Sequence, residues 1–197
     1  MVARALQVVL VCLSLFCLAI SPEQRRPEQA VQVTVCQLLK EPWRYDHALV
    51  QVSGDVLHGF EVFQIYPDHC PEAPNSMGVW LEYGGERSSG TMYCCGVTAD
   101  RKRPDPLVIE GIRSSLKLDE AFQRFDALID GEALTRVNAT LIGRFFSGRR
   151  LRHPKGAWGG YGHMGSFSLL VIEQVRSSLP MSPAIPPPPP PLSELGR

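Results

Sequence analysis

Between positions 50 and 56 apolar and polar residues alternate, Val50, Val52 and Val56 against Gln51, Ser53 and Asp55. A period of two marks a strand with one buried face, and Gly54 marks a point where that strand can bend sharply. His58-Gly59 predicts a turn, residues 60–66 a second strand and residues 79–83 a third, with Val79, Leu81 and Tyr83 on one face and Trp80 and Glu82 on the other. Upstream, Thr34 and Gln37 have the spacing of a capping box, Val35, Leu38 and Leu39 supply an apolar face, and Pro42 stops the helix; Trp43 and Tyr45 then lead into the first strand. Downstream, Leu118, Ala121, Phe122, Phe125, Leu128 and Ile129 recur at helical spacing, with Asp119 at the start, Gly131 past the end, and Lys117, Glu120, Gln123 and Arg124 outside. Residues 136–146 read as a fourth strand, with Val137, Ala139, Leu141 and Phe145 on one face, and residues 167–175 as a fifth. The stretch 84–106 is irregular and looks inserted, and 107–109 is a short additional strand.

Three strands, a helix and two strands follow the order of an OB-fold. The expected fold class is therefore mainly β: a five-stranded OB-fold-like Greek-key barrel, with a short N-terminal helix and one helix between strands three and four. At Val35-Cys36-Gln37-Leu38-Leu39, Val50-Gln51-Val52-Ser53-Gly54, Val79-Trp80-Leu81, Ala139-Thr140-Leu141-Ile142-Gly143-Arg144-Phe145 and Gly162-His163-Met164-Gly165 the chain resembles uncharacterised secreted bacterial OB-fold-like proteins. The resemblance spans residues 33–175. It implies fold and export and carries no activity. It also implies cysteines in relatives where this chain has Ser166 and Phe167, so the partners of Cys94 and Cys95 in a second bridge would be missing.

The ends of the chain set its expected address. Arg4 precedes an uncharged apolar run from residue 5 to 20, shorter than a comfortable membrane span and flanked like a secretory signal peptide. A lipid anchor on Cys17 is the rival, poorly served by Phe16 before it, and an N-terminal core helix is the bland alternative. Residues 1–21 are thus read as signal peptide, 22–32 as a polar leader, 33–179 as the OB-fold-like domain and 180–197 as a proline-rich tail. That tail holds eight of the 17 prolines, six of them consecutive, which favours extended polyproline II as a spacer or as plain tail. The expected localisation is secreted or periplasmic, with no transmembrane span in the mature chain.

Charge then narrows the partners. Twenty Lys and Arg balance 20 Asp and Glu, which excludes a bulk polycation, and export argues against cytoplasmic nucleic acid. The exception is local. Arg149, Arg150, Arg152 and Lys155 are interleaved with His153, Trp158, Tyr161 and His163, among glycines at 156, 159, 160, 162 and 165. In OB-folds the loop between strands four and five borders the usual binding face. Guanidinium groups supply charge and aromatic faces supply stacking, so Arg149, Arg150, Arg152, Lys155, Trp158, Tyr161 and His163 form a candidate ligand site for an anionic glycan or other polyanion. The bland reading is a solvated loop whose Trp158 and Tyr161 fold back to cover the barrel. The partner expected is an unidentified ligand or envelope component.

Of the six cysteines, Cys36, Cys70, Cys94 and Cys95 remain after export. An even number in an oxidising compartment permits two bridges and three connectivities. Adjacent cysteines bond to each other only through a strained ring, and Cys36–Cys70 is the expected disulfide, buried free thiols being the alternative. A rival function is a cell-envelope metal- or thiol-dependent protein using Cys94, Cys95 and His163, near which Asp68-His69-Cys70 also supplies donors. The spacings fit no zinc knuckle, so no metal or cofactor is expected. No nucleophile elbow, phosphate loop or His-Glu zinc motif is present, and the chain is read as a binding protein and not an enzyme. Asn138-Ala139-Thr140 matches a glycosylation sequon inside a predicted strand.

Overall fold

The computed structural model describes residues 28–71, 78–91, 101–130, 134–148 and 160–181. The signal-like run, residues 92–100 with Cys94 and Cys95, residues 149–159 and the proline run lie outside the described residues. The chain is mainly β. Its elements are β1 (Val31–Gln32), α1 (Val35–Lys40), β2 (Leu49–Gly59), β3 (Val62–Tyr66), β4 (Val79–Tyr83), β5 (Val108–Ile109), β6 (Ile112–Arg113), α2 (Glu120–Ile129), β7 (Thr135–Phe146) and β8 (Leu169–Pro180).

Local chemistry accounts for the helices. The Thr34 side chain accepts from Gln37 N while the Gln37 side chain accepts from Thr34 N, closing the expected capping box of α1. Pro42 opens a short 3-10 turn over Pro42–Arg44, where a continued helix had no N–H to use. Asp119 caps α2 by accepting from Phe122 N at 3.0 Å, and Phe122, Phe125 and Ile129 are buried. Leu118, expected on that apolar face, precedes the helix and is exposed.

Six strands form one sheet in the order β1-β2-β3-β4-β8-β7, and β2 also pairs with β7. The pairings β2–β3, β3–β4, β8–β7 and β7–β2 are antiparallel and β4–β8 is parallel, so they run in a ring. Strand β2 can serve both β7, along Leu49 to His58, and β3, along Asp55 to Gly59. Gly54 lets it pass close to β3: a Cβ there would stand 2.4 Å from the Tyr66 carbonyl oxygen. The short hairpin β5–β6 forms a second, two-stranded sheet.

Several sequence expectations need correction. His58 and Gly59 belong to β2 and pair with Phe63 and Val62, so the turn falls at residues 60–61 and the second strand starts at Val62. The leader is not free of structure at its end: Val31 and Gln32 pair in parallel with Val50 and Gln51, making a sixth strand where five were expected. The last strand begins at Leu169 and runs to Pro180, not 167–175, because β7 is long enough to pair Val137 with Pro180.

The sheet is apolar on both sides. Val79, Leu81, Tyr83, Phe145, Leu170 and Ile172 join Phe122, Phe125 and Ile129 in the main core, while Trp80, Phe146, Leu169 and Val171, one step along the pleat, form a second cluster with Leu107, Ile109 and Tyr161. Leu107 and Ile109, at the short additional strand that follows the irregular stretch, therefore help to cover the second face. Cys36 and Cys70 are bridged, Cα to Cα 5.5 Å, tying α1 to the segment after β3.

Candidate functional site

Alternation along β7 turns Gly143 and Phe145 toward the main core and leaves Arg144 on the other side; along β8, Ile172 goes inward and Glu173 outward. Both charges thus lie beside the second apolar cluster, where the connector between β4 and α2 crosses them. The crossing leaves a cleft of about 520 Å³, lined by Arg87, Arg113, Ser114, Leu116, Arg144 and Glu173, with Pro106 and Leu118 adding apolar surface. That volume is in the range of small-molecule sites.

Arg144 is anchored from behind. Its Nη1 and Nη2 donate to the two carboxylate oxygens of Glu28 at 2.8 and 2.7 Å, and Nη1 also donates to the His47 carbonyl at 3.0 Å. Hydrogen bonding to Arg144 holds the Glu28 carboxyl below its usual range and, reciprocally, raises that of Arg144. Glu173 Oε1 lies 3.8 Å from Arg144 Nε, close for charge attraction and long for a hydrogen bond. Burial pushes the Glu173 carboxyl up, against the opposing pull of Arg144 and of the Ser114 hydroxyl nearby.

Two side chains of this cleft keep a buried N–H donor with no hydrogen-bond partner among the described residues, Arg87 Nε and Arg144 Nε, while the Ser114 hydroxyl faces Glu173. Buried donors left unmatched cost about 1–3 kcal/mol each, and most native ones find protein or water partners. Arg87 is otherwise committed, Nη2 donating to Asp126 at 2.6 Å. Arg113 stands exposed at the rim with no carboxylate partner among the described residues.

A second polar group fastens the connector to the sheet. Glu110 accepts from the Tyr161 hydroxyl at 2.6 Å and meets His47 Nε2 at 2.8 Å. Glu110 (φ 47°) and Gly111 (φ 79°) make the tight turn between β5 and β6. A third group is wholly internal. Glu82, fully buried, accepts from Tyr83 N, Ser89 N and Ser89 Oγ and pairs with Arg103 at 2.7 Å.

Of the residues expected to bind ligand, Arg149, Arg150, Arg152, Lys155 and Trp158 lie outside the described residues. Tyr161 is buried in the second cluster against Phe146, its hydroxyl engaged by Glu110, which is the covering role that was the bland alternative for it. His163 is half-buried in a 3-10 turn, His163–Gly165. Cys94 and Cys95 also lie outside the described residues, and among the described ones no three His, Cys, Asp or Glu side chains are grouped to hold a metal ion. No helix of the described residues is long and apolar enough to cross a membrane. Asn138, of the sequon, sits within β7 and donates to Asp55.

No family model, curated protein or solved structure matches the chain. The site must be read from its own chemistry. Arg113, Ser114, Arg144 and Glu173 were not picked out from the sequence. A signal existed for one of them: Glu173 is a lone charge inside the run Leu169-Leu170-Val171-Ile172-Glu173-Gln174-Val175, and a charge kept in a strand apolar on both faces needs a local partner.

Proposed function

We propose that this protein is an exported binding module on an OB-fold-like barrel, and that the cleft at Arg144 and Glu173 receives an anionic oligosaccharide. The ring of pairings and the placement of α2 between β4 and β7 support the barrel reading. The Cys36–Cys70 bridge suits the secreted or periplasmic address. The observation that carries the ligand reading is the gathering of two buried N–H donors on one cleft beside a rim arginine, Arg113, none of the three with a partner for that group among the described residues. The N–H donors call for acceptor oxygens, and Arg113 calls for negative charge. Pro106, Leu116 and Leu118 offer the apolar surface on which a sugar ring lies.

The basic loop fits the same reading. Strand β7 ends at Phe146, and residue 148 lies about 13 Å along the chain from Arg144 at strand rise, so a ligand of several anionic units has the length to span from the cleft to residue 148, which Arg149, Arg150 and Arg152 follow in sequence. Calorimetric titration with tetragalacturonate, against a neutral tetrasaccharide, tests the proposal. Saturable binding of the anion alone is expected, weakened by Arg113→Ala and by the triple replacement of Arg149, Arg150 and Arg152 with Ala, and falling with added salt. Equal binding of both sugars, or of neither, overturns it.

A further inference from the structure

A guanidinium offers two forks to a carboxylate, an end fork of Nη1 and Nη2 and a side fork of Nε and Nη2. In Arg144 the end fork is filled by Glu28 in a two-bond pairing. The side fork is not: Nε is buried, has no hydrogen-bond partner among the described residues, and has Glu173 Oε1 at 3.8 Å. Arg144 and Glu173 both line the cleft, whereas Glu28 does not.

We propose that the side fork of Arg144 is the carboxylate seat of the cleft and that Glu28, on the N-terminal segment, is a built-in competitor that sets its affinity. The inference rests on the cleft being the ligand site and adds the group that recognises the acid and the residue that tunes it. Both forks draw on one positive charge, so a ligand carboxylate meets a guanidinium already offset by Glu28.

The competitor is held by more than its charge. Val31 and Gln32 pair with β2, and Val33 N donates to the Gln51 carbonyl at 3.0 Å, so Glu28 is kept beside Arg144 by the strand that follows it. Release of this short segment from the sheet would remove the competing carboxylate and strengthen the seat. Glu173 completes the arrangement: Lys117 N donates to its backbone carbonyl, fixing the connector over it, and burial pushes its carboxyl up while Arg144 pulls it down.

The test compares the full chain with Glu28→Gln and, as an equal charge change elsewhere, Glu61→Gln in the turn between β2 and β3. Glutamine keeps the size of the side chain and leaves the β1 pairing in place. Two readouts are taken: tetragalacturonate affinity by calorimetry and the Glu173 carboxyl titration by carbon-detected NMR without ligand. E28Q is expected to bind the probe about two- to fivefold more tightly, the range of an exposed ion pair released, with Glu173 titrating at lower pH because Glu28 no longer opposes its ionisation. E61Q is expected to change neither. Unchanged or weaker binding by E28Q, with the wild type binding normally, overturns the competition while leaving the cleft reading intact. A gain equal in E28Q and E61Q overturns it as bulk charge. Absence of binding by both wild type and E28Q overturns the cleft reading itself, and the competition with it.

Discussion

Gly162 lies flat against the indole of Trp80: a Cβ at that position would stand 2.3 Å from Trp80 Cδ2. Its backbone, φ 67° and ψ −159°, occupies a region that is essentially closed to any residue with a side chain. Sterics and backbone thus demand glycine independently. Gly162→Ala should cost about 2–6 kcal/mol, the sum of about 1–3 for the backbone and about 1–3 for overpacking. Gly111→Ala is the control, since its φ is also positive but no atom lies within 4 Å of its Cβ position. Urea midpoints should rank wild type, Gly111→Ala, Gly162→Ala from most to least stable; equal losses in the two variants would leave only the backbone argument standing.

Removing Arg103 should be among the most damaging single changes in the chain. It strands the fully buried Glu82 carboxylate and frees the carbonyls of Tyr83, Gly85 and Arg87, to which Nη1 donates. Breaking a buried pair from one side costs about 3–5 kcal/mol. Arg103→Leu should therefore lose that much, and the double variant with Glu82→Gln should recover part of it. A thermodynamic cycle on denaturant unfolding measures the coupling, and strictly additive losses would show that the two side chains act separately.

Stability should fall on acidification through His58. This ring is buried edge-on to Phe63, and burial first, with Arg101 nearby second, holds its pKa below the ordinary value. The Ser89 backbone, and then Asp126 and Asp130, oppose that shift without reversing it. Below about pH 6.5 the unfolded chain takes up a proton that the folded one refuses, so folding loses free energy as pH drops. At pH 8 both states are neutral and the effect vanishes. Denaturant midpoints between pH 5 and 8 should show a smaller acid-side drop in His58→Leu than in wild type; parallel curves would assign the acid sensitivity elsewhere.

The bridge between Cys36 and Cys70 closes a loop with a sequence separation of 34. Loop-closure entropy gives it about 2–4 kcal/mol of stabilisation. Cys36→Ser should lose that amount while keeping α1, whose capping box is untouched. Peptide mapping of the unreduced protein should find Cys36 protected from alkylation; a freely alkylated Cys36 would remove the bridge from the account.

Features written in neighbouring residues were legible before the structure. Thr34 with Gln37, Asp119 before Phe122, and the alternation over residues 50–56 and 79–83 each depend on contacts within a turn or a pleat. What the pattern could not tell was the surroundings of the far face. Trp80 and Glu82 alternate with Val79, Leu81 and Tyr83 as a solvated face would, yet all five are buried, because the connector that leaves β4 folds back over them, Ser89 onto Glu82 and Leu107 and Ile109 onto the cluster of Trp80. The turn assigned to His58-Gly59 failed for a related reason: β7 continues alongside as far as Thr135 and holds His58 in the ladder. The cleft was the least legible part, since Arg113, Arg144 and Glu173 come together only when three separate segments meet.

The parallel pairing of Trp80 with Leu169 spans nearly half the chain, and β8 is also the neighbour of β7. Until β8 docks, β4 and β7 each present an unsatisfied edge, and the connector lacks the part of its apolar surface that Leu169 and Val171 supply. Completion of the sheet therefore waits on the slowest kind of event in a folding chain, the joining of distant segments. During that wait the run Leu169-Leu170-Val171-Ile172 is a naked adhesive strip. A nascent copy held up at this stage would stick to its neighbours through that strip, so yield during production should depend on chaperone supply more than on the final stability of the folded protein.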